Sequence, residues 1–220
     1  MKTTYFIIVL LAVALVVLAV KVATISTVEK AAEEADSAAF ELSHAGTIES
    51  ILTRSSVRDY TDRDVTPQQV DTLLRAAMAA PTARNCQPWK FIVVRDRALL
   101  DSIAANCKTI TMAAKAPLAI VVCGDLSKAL EGESQAFWIQ DCSAATENLL
   151  LAAHAMGLGA VWCGIYPKRD RIDFLSSLLE IPEGIVPLNV IPVGYPAVEP
   201  NIKDKFDFHA IHYNKYGRSK

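Results

Sequence analysis

Arg54-Ser55-Ser56-Val57-Arg58 and, further along the chain, Pro81-Thr82-Ala83-Arg84-Asn85-Cys86-Gln87-Pro88-Trp89 are the stretches on which the fold turns. The first places two guanidiniums and two hydroxyls on a short turn, directly after an apolar helical pattern. Arg offers planar, permanently charged, multidentate donors, so the turn suits a phosphorylated, electron-rich ligand. The second gathers two prolines, two side-chain amides and a Trp within a few residues. Both prolines discourage regular helix, which puts the amides of Asn85 and Gln87 on an irregular, ligand-facing loop.

Outward from these stretches the chain reads as helices and strands without strict alternation, which predicts an α+β fold rather than a doubly wound sheet. Thr47 suits the N-cap of a short helix with Ile48, Ile51 and Leu52 on one face. Thr66-Pro67-Gln68-Gln69 combines an N-cap Thr, Pro at the first helical position and Gln three residues on. Val70, Leu73, Leu74 and Ala77 then recur at helical spacing. Residues 91–94 and 118–123 read as strands, with a helix over 99–105 and a second short helix before Pro117. Residues 138–156 carry a long helical pattern, apolar on most faces, stopped by Gly157-Leu158-Gly159. A strand over 160–163 running into Gly164, a helix over 169–179 and a strand over 186–193 follow. The remainder from Ala197 has no period and reads as an extended tail suited to wrapping a partner subunit.

The 220 residues are enough for one sizeable core, and much of the 52% hydrophobic content sits at the N-terminus. Tyr5 to Val20 carries no charge, and counted on to Ile25 it reaches the roughly 20 residues that span a bilayer. A membrane anchor over residues 5–25 is the first reading; a cleaved signal peptide is the second, and a buried core helix the third. Residues 26–46 read as an Ala/Glu-rich linker and 47–220 as the globular domain. Basic residues flank the apolar run almost evenly, so charge does not decide its orientation. An inner-membrane anchor with a cytoplasmic domain is expected, with an exported or periplasmic domain as the alternative. The net charge of -2, with no basic stripe, speaks against a nucleic-acid partner. Five scattered cysteines without CxxC spacing suit neither a disulfide framework nor zinc and read as small buried hydrophobes. His209 and His212 have no acidic or cysteine companion, so no metal site is expected there, and His154 reads as a packed histidine with one partner.

Taken in order, the arginine turn, the Pro81–Trp89 loop, the helix Asp141–Ala153 with Gly157-Leu158-Gly159, the segment Ala160-Val161-Trp162-Cys163-Gly164, and Val193-Gly194-Tyr195-Pro196 with Lys203-Asp204-Lys205 resemble the nitroreductase family over residues 47–213. The resemblance implies a three-layer fold, a mostly antiparallel sheet flanked by helices, assembled as a homodimer. It implies FMN as cofactor, with Arg54 and Lys205 at the phosphate and Ser55, Ser56, Val57 and Lys203 around it. Arg58 would stand at the pyrimidine side of the ring, where a fixed cation favours the reduced flavin. Asn85 would meet the ring edge, and backbone N–H groups of Cys163 and Gly164 would approach the flavin carbonyl and N5. Because the family builds its site at a homodimer interface, Gln87, Trp89 and Trp162 would serve either subunit's flavin. Three positions depart from the pattern: Arg84 is larger than usual, Cys163 stands where some relatives have Glu, and Lys205 replaces a more frequent Arg.

The implied activity is hydride uptake from NADH or NADPH and delivery of electrons to a nitroaromatic, quinone or similar small acceptor, in ping-pong order. The flavin carries that chemistry, so no essential acid/base side chain is expected. No G-x-S-x-G, HExxH, Walker loop or G-x-G-x-x-G occurs, which removes the corresponding hydrolase, NTPase and Rossmann readings. A reading from another class stands beside this one: a non-catalytic, membrane-tethered flavin-binding redox sensor or complex subunit, whose bound FMN would not be reduced by NAD(P)H.

Overall fold

The structure is a computed structural model that describes residues 46–199 and 201–218. The anchor expected over 5–25 and nearly all of the linker expected over 26–46 lie outside the described residues. Among the described residues no helix is long and apolar enough to cross a membrane. Ser50 to Lys220 form one compact unit.

Helical backbone covers residues 46–53 (α1). The expected apolar face of this helix is present but uncovered: Ile48, Ile51 and Leu52 are all exposed, Leu52 by 68%. Helix α2, Pro67–Met78, starts where the sequence predicts, and the full capping box forms at Thr66 and Gln69. Strand β1 is Trp89–Val94. Helix α3 is Arg97–Asn106, capped by the Asp96 side chain on Leu99 N–H. A 3-10 turn, Thr111–Ala114, precedes strand β2, Leu118–Asp125. The long central helix α4 is Phe137–Ala155. It stops at Gly157, whose φ of 71° is the left-handed conformation that a glycine reaches without steric cost. The expected continuous strand over 160–163 is instead two short pieces, β3 (Gly159–Ala160) and β4 (Cys163–Gly164). Helix α5, Arg169–Leu178, and strand β5, Ile185–Gly194, complete the framework.

The sheet runs β1-β2-β5-β3, with β4 also paired to β5, and all of these pairings are antiparallel. Val70, Leu73 and Ala77 of α2 and Leu149, Leu150 and Ala153 of α4 pack with Leu118, Ile120, Val122, Ile191 and Val193 of the sheet. Leu100 and Ile103 of α3 and Ile172 and Leu175 of α5 pack with Ala119, Val121, Cys123 and Val190. Residues alternate between the two groups along β2, so helices cover both faces and the architecture is the expected three-layer α+β fold. This explains why every residue of β2 is buried and why its sequence is a continuous apolar run rather than an alternation. The register slips between Val122 and Cys123, where Pro187 of β5 stands opposite. A proline cannot donate to the ladder and is tolerated at such irregularities.

β3 and β4 lie on one antiparallel register against β5, with Ala160 opposite Val193 and Cys163 opposite Val190; the gap between them faces Ile191 and Pro192, and a proline cannot donate to the ladder. Trp162, between them, is 37% exposed.

Candidate functional site

The arginine turn is held on two sides. Ser56 bridges Ala160 in parallel, and Val57 N–H donates to Ala160 C=O at 3.1 Å. Beyond it, Thr61 N–H donates to Tyr195 C=O and Ala197 N–H to Asp59 C=O. The Tyr60 hydroxyl donates to Val57 C=O at 2.7 Å, with Pro192 C=O at 3.2 Å. Burial pushes the Tyr60 hydroxyl well above the ordinary phenol range, so it remains a donor. The approach to β3 is close: a Cβ on Gly159 would lie 2.5 Å from Val57 Cγ1. With its apolar residue clamped, the turn aims its polar neighbours outward.

Those neighbours line a cleft of about 400 Å3 formed by Arg54, Ser55, Ser56, Arg58, Asn201, Lys203 and Lys205. Arg54 is only 16% exposed, and its Nε stands 3.2 Å from Glu147 Oε1. Ser55 Oγ is buried and has no hydrogen-bond partner among the described residues. A buried hydroxyl left unpaired costs free energy, so it marks a place where a ligand would be stabilised. Lys203 and Lys205, which alone would read as a solvated tail, face the same cleft as the arginines.

Cys163 and Gly164 are not part of that lining, but they are electrically adjacent to it. Burial raises the Cys163 thiol to about 11, and the charges of Arg58 and Arg171 oppose the rise. Arg171 Nη1 donates to Gly164 C=O at 2.9 Å, which fixes the end of β4. The space beside Gly164 is open: a Cβ built there meets no atom within 4 Å.

The Pro81–Trp89 loop is seated elsewhere. It contains the 3-10 turn Ala83–Asn85, and three non-glycine residues, Arg84, Asn85 and Gln87, have φ between 48° and 56°. Such backbone costs about 1–3 kcal/mol per residue and persists only when the surroundings over-determine it. Here Ala83 N–H donates to the buried carboxylate of Asp141 at 2.8 Å, Gln87 N–H to Thr82 Oγ1, and Gln87 Nε2 to Asn85 Oδ1. Asn85, Gln87 and Arg84 are exposed, whereas Trp89 is buried in the core.

Asp141 and Glu147 are six residues apart on α4, about 9 Å along its axis and about 120° around it. The Pro81–Trp89 loop and the arginine turn are therefore fastened to different faces of the same helix. Within one chain Arg54, Ser55, Ser56, Arg58, Lys203 and Lys205 come together, while Asn85, Gln87 and Trp162 are not brought to that cleft.

The model of the family described as "Nitroreductase family" matches residues 51–195. The chain belongs to the nitroreductase family. It is 47% identical over 176 residues to a Methanothermobacter thermautotrophicus protein provisionally named NADH dehydrogenase/NAD(P)H nitroreductase, covering 80% of this chain and 91% of that one. A crystal structure under the same provisional name from Parabacteroides distasonis superposes with a TM-score of 0.73 at 49% identity, over 77% of this chain and 98% of that one. A provisionally assigned nitroreductase from Desulfovibrio desulfuricans, solved in complex with FMN, gives 0.67 at 29% identity, over 77% of this chain and 97% of that one.

The residues of this nitroreductase fit the flavin that the resemblance implies. Four cations converge on one cleft, which suits a phosphate dianion. The unpaired Ser55 hydroxyl offers a further donor there, and the open space at Gly164 offers a place for a ring edge. Sequence reasoning missed Asn201, Glu147, Tyr60 and Asp141. Glu147 and Asp141 carried a signal, as the only acids in an otherwise largely apolar helix. Asn201 and Tyr60 carried none beyond their nearness to Lys203 and Arg58. Among the described residues His154 has one side-chain partner, Thr53 Oγ1 at 2.8 Å from Nε2, in keeping with the packed histidine expected.

Proposed function

We propose that this chain is an FMN-dependent oxidoreductase that takes hydride from NADH or NADPH and passes the electrons to a small acceptor such as a nitroaromatic or quinone. The observation that carries the reading is the cleft of Arg54, Ser55, Ser56, Arg58, Lys203 and Lys205, with its unpaired buried hydroxyl. Bound there, FMN would supply reversible hydride chemistry. The chain's own part is to bind and orient. Arg54 and the two lysines neutralise the phosphate, and Ser55 and Ser56 donate to its oxygens. The charge of Arg58 is felt at Cys163, and so sets a fixed positive potential at the end of β4. Gly164 leaves room for the ring, and its carbonyl is tied back by Arg171.

A homodimer completes the reading. The uncovered Ile51 and Leu52 of α1 and the exposed Phe206 and Phe208 of the tail are apolar surface that a second copy would bury. Asn85 and Gln87 would then reach the partner's cleft. The apolar run over residues 5–25 supports a membrane tether and makes a lipid quinone a natural acceptor to assay. Unchanged quinone turnover in vesicles after deletion of 1–25 would remove the reason for that pairing.

The experiment is direct. The full chain, purified in detergent without added flavin, is examined by visible absorbance and then mixed anaerobically with NADH or NADPH. Flavin absorbance that bleaches supports the oxidoreductase and ranks the two donors. Bound flavin that stays oxidised favours the non-catalytic sensor or subunit. A folded chain that takes up no FMN refutes the cleft assignment.

A further inference from the structure

Behind the cleft, the outer part of α4 grips two consecutive residues of the chain that leads into the arginine turn. Glu147 and His154 are seven residues apart, two helical turns, and so share one face. His154 Nε2 lies 2.8 Å from Thr53 Oγ1, and Glu147 Oε1 lies 3.2 Å from Arg54 Nε. Glu147 does not itself line the cleft. Its carboxylate meets the Nε side of the guanidinium, and the terminal nitrogens have no other side-chain or backbone partner among the described residues. A guanidinium held at Nε presents its two terminal nitrogens as a fork, which matches two oxygens of a phosphate.

We propose that Glu147 is a positioning residue for the phosphate site: it holds Arg54 by Nε and turns the terminal edge of the guanidinium into the cleft. The inference rests on the reading of that cleft as the FMN phosphate site. Arg has several rotatable bonds, and freezing such a side chain on binding costs about 0.5–1.5 kcal/mol. Glu147 meets that cost before the ligand arrives. It also opposes the phosphate as a like charge, so orientation and charge act in opposite directions and can be separated by substitution.

The test is an equilibrium titration of apoprotein with FMN and with riboflavin, which lacks the phosphate, followed by flavin fluorescence. Wild type binds FMN more tightly than riboflavin. Glu147→Ala weakens FMN binding about three- to tenfold and leaves riboflavin unchanged. Glu147→Gln keeps a polar group of the same length facing the Nε side of Arg54 and holds FMN binding at or above the wild-type level. Glu147→Met keeps the side-chain length without the polar group, and should behave as the Ala variant does if that one fails to fold. A role in folding alone would move both ligands together. Equal FMN affinities for the Ala and Gln variants, whether higher or lower than wild type, assign the effect to charge and overturn the proposal. A wild-type protein that does not distinguish FMN from riboflavin overturns the phosphate reading itself, and this inference with it.

Discussion

Gly164→Ala should separate the stability of the fold from the quality of the site. Gly164 ends β4 opposite Asn189, and an added Cβ would meet no atom within 4 Å. An alanine therefore clashes with nothing in the chain. By restricting the unfolded state it should add about 0.4–1 kcal/mol of stability. If the flavin edge lies over this strand end, the same methyl group stands between the ring and the backbone. The ring must withdraw by more than hydrogen-bond tolerance, losing one or two backbone contacts at about 0.5–1.5 kcal/mol each. That range of about 0.5–3 kcal/mol is a two- to 150-fold increase in the FMN Kd. Thermal unfolding of the apoprotein and an FMN titration give the two halves of the result. An unchanged or raised Tm with weakened FMN binding is expected. Unchanged FMN affinity would refute the placement of the ring at Gly164, and a Tm lowered by several degrees would refute the claim that the space is open.

Gly159→Ala should do the reverse, because its Cβ would meet Val57 side-chain atoms at 2.5, 2.6 and 2.9 Å; overpacking of this kind costs about 1–3 kcal/mol, read as a lower urea midpoint. Asp141→Ala leaves Ala83 N–H without its acceptor and should cost about 1–3 kcal/mol, with faster proteolysis of the Pro81–Trp89 loop as the local signature. Alkaline pH should destabilise the fold: burial raises Cys123 and Cys142 to about 12 and Cys163 to about 11, from 9.0. Unfolded thiols ionise first as pH passes 9.0, so the stability these groups contribute is intact below that and is lost as pH rises towards 12. Urea midpoints measured across that window should fall, and Cys142→Ala should flatten the fall.

The parts of the structure set by local chemistry were legible from sequence. Thr66-Pro67-Gln68-Gln69 forms the capping box because every partner lies within four residues. The run Leu118–Cys123 becomes the central strand because only a strand covered on both faces tolerates six consecutive apolar residues. Arg54, Ser56, Lys203 and Lys205 line one cleft, although about 150 residues separate the turn from the two lysines. What could not be read depends on tertiary partners. The interruption between β3 and β4 faces Ile191 and Pro192 on the neighbouring strand β5, so no signal local to Val161 and Trp162 marks it. The left-handed backbone of Arg84, Asn85 and Gln87 is imposed by Asp141 and Thr82, against the intrinsic preference of Arg and Gln. The apolar spacing of Ile48, Ile51 and Leu52 gives the helix correctly, but spacing alone does not say what covers it.

The Pro81–Trp89 loop and the arginine turn are fastened to different faces of α4, and this makes the proposed assignment of each to a subunit testable. Asp141 holds the Pro81–Trp89 loop, and Glu147 holds the arginine turn about 120° away around the helix. On the proposed reading each loop of a two-fold dimer meets the other copy's cleft, and one complete site would draw Arg54 from one chain and Asn85 from its partner. Arg54→Ala should then disable a site through the first chain, and Asn85→Asp, which keeps tolerance of the left-handed backbone, through the second. Each variant alone should have two defective sites per dimer. Unfolded together and refolded as an equal mixture, half of the dimers are hybrids, and each hybrid pairs both lesions in one site and leaves the other whole. About a quarter of all sites should recover full NAD(P)H-dependent turnover. If Asn85 serves the cleft of its own chain, every site in the hybrid carries one lesion, and the mixture shows only the mean of the two variants.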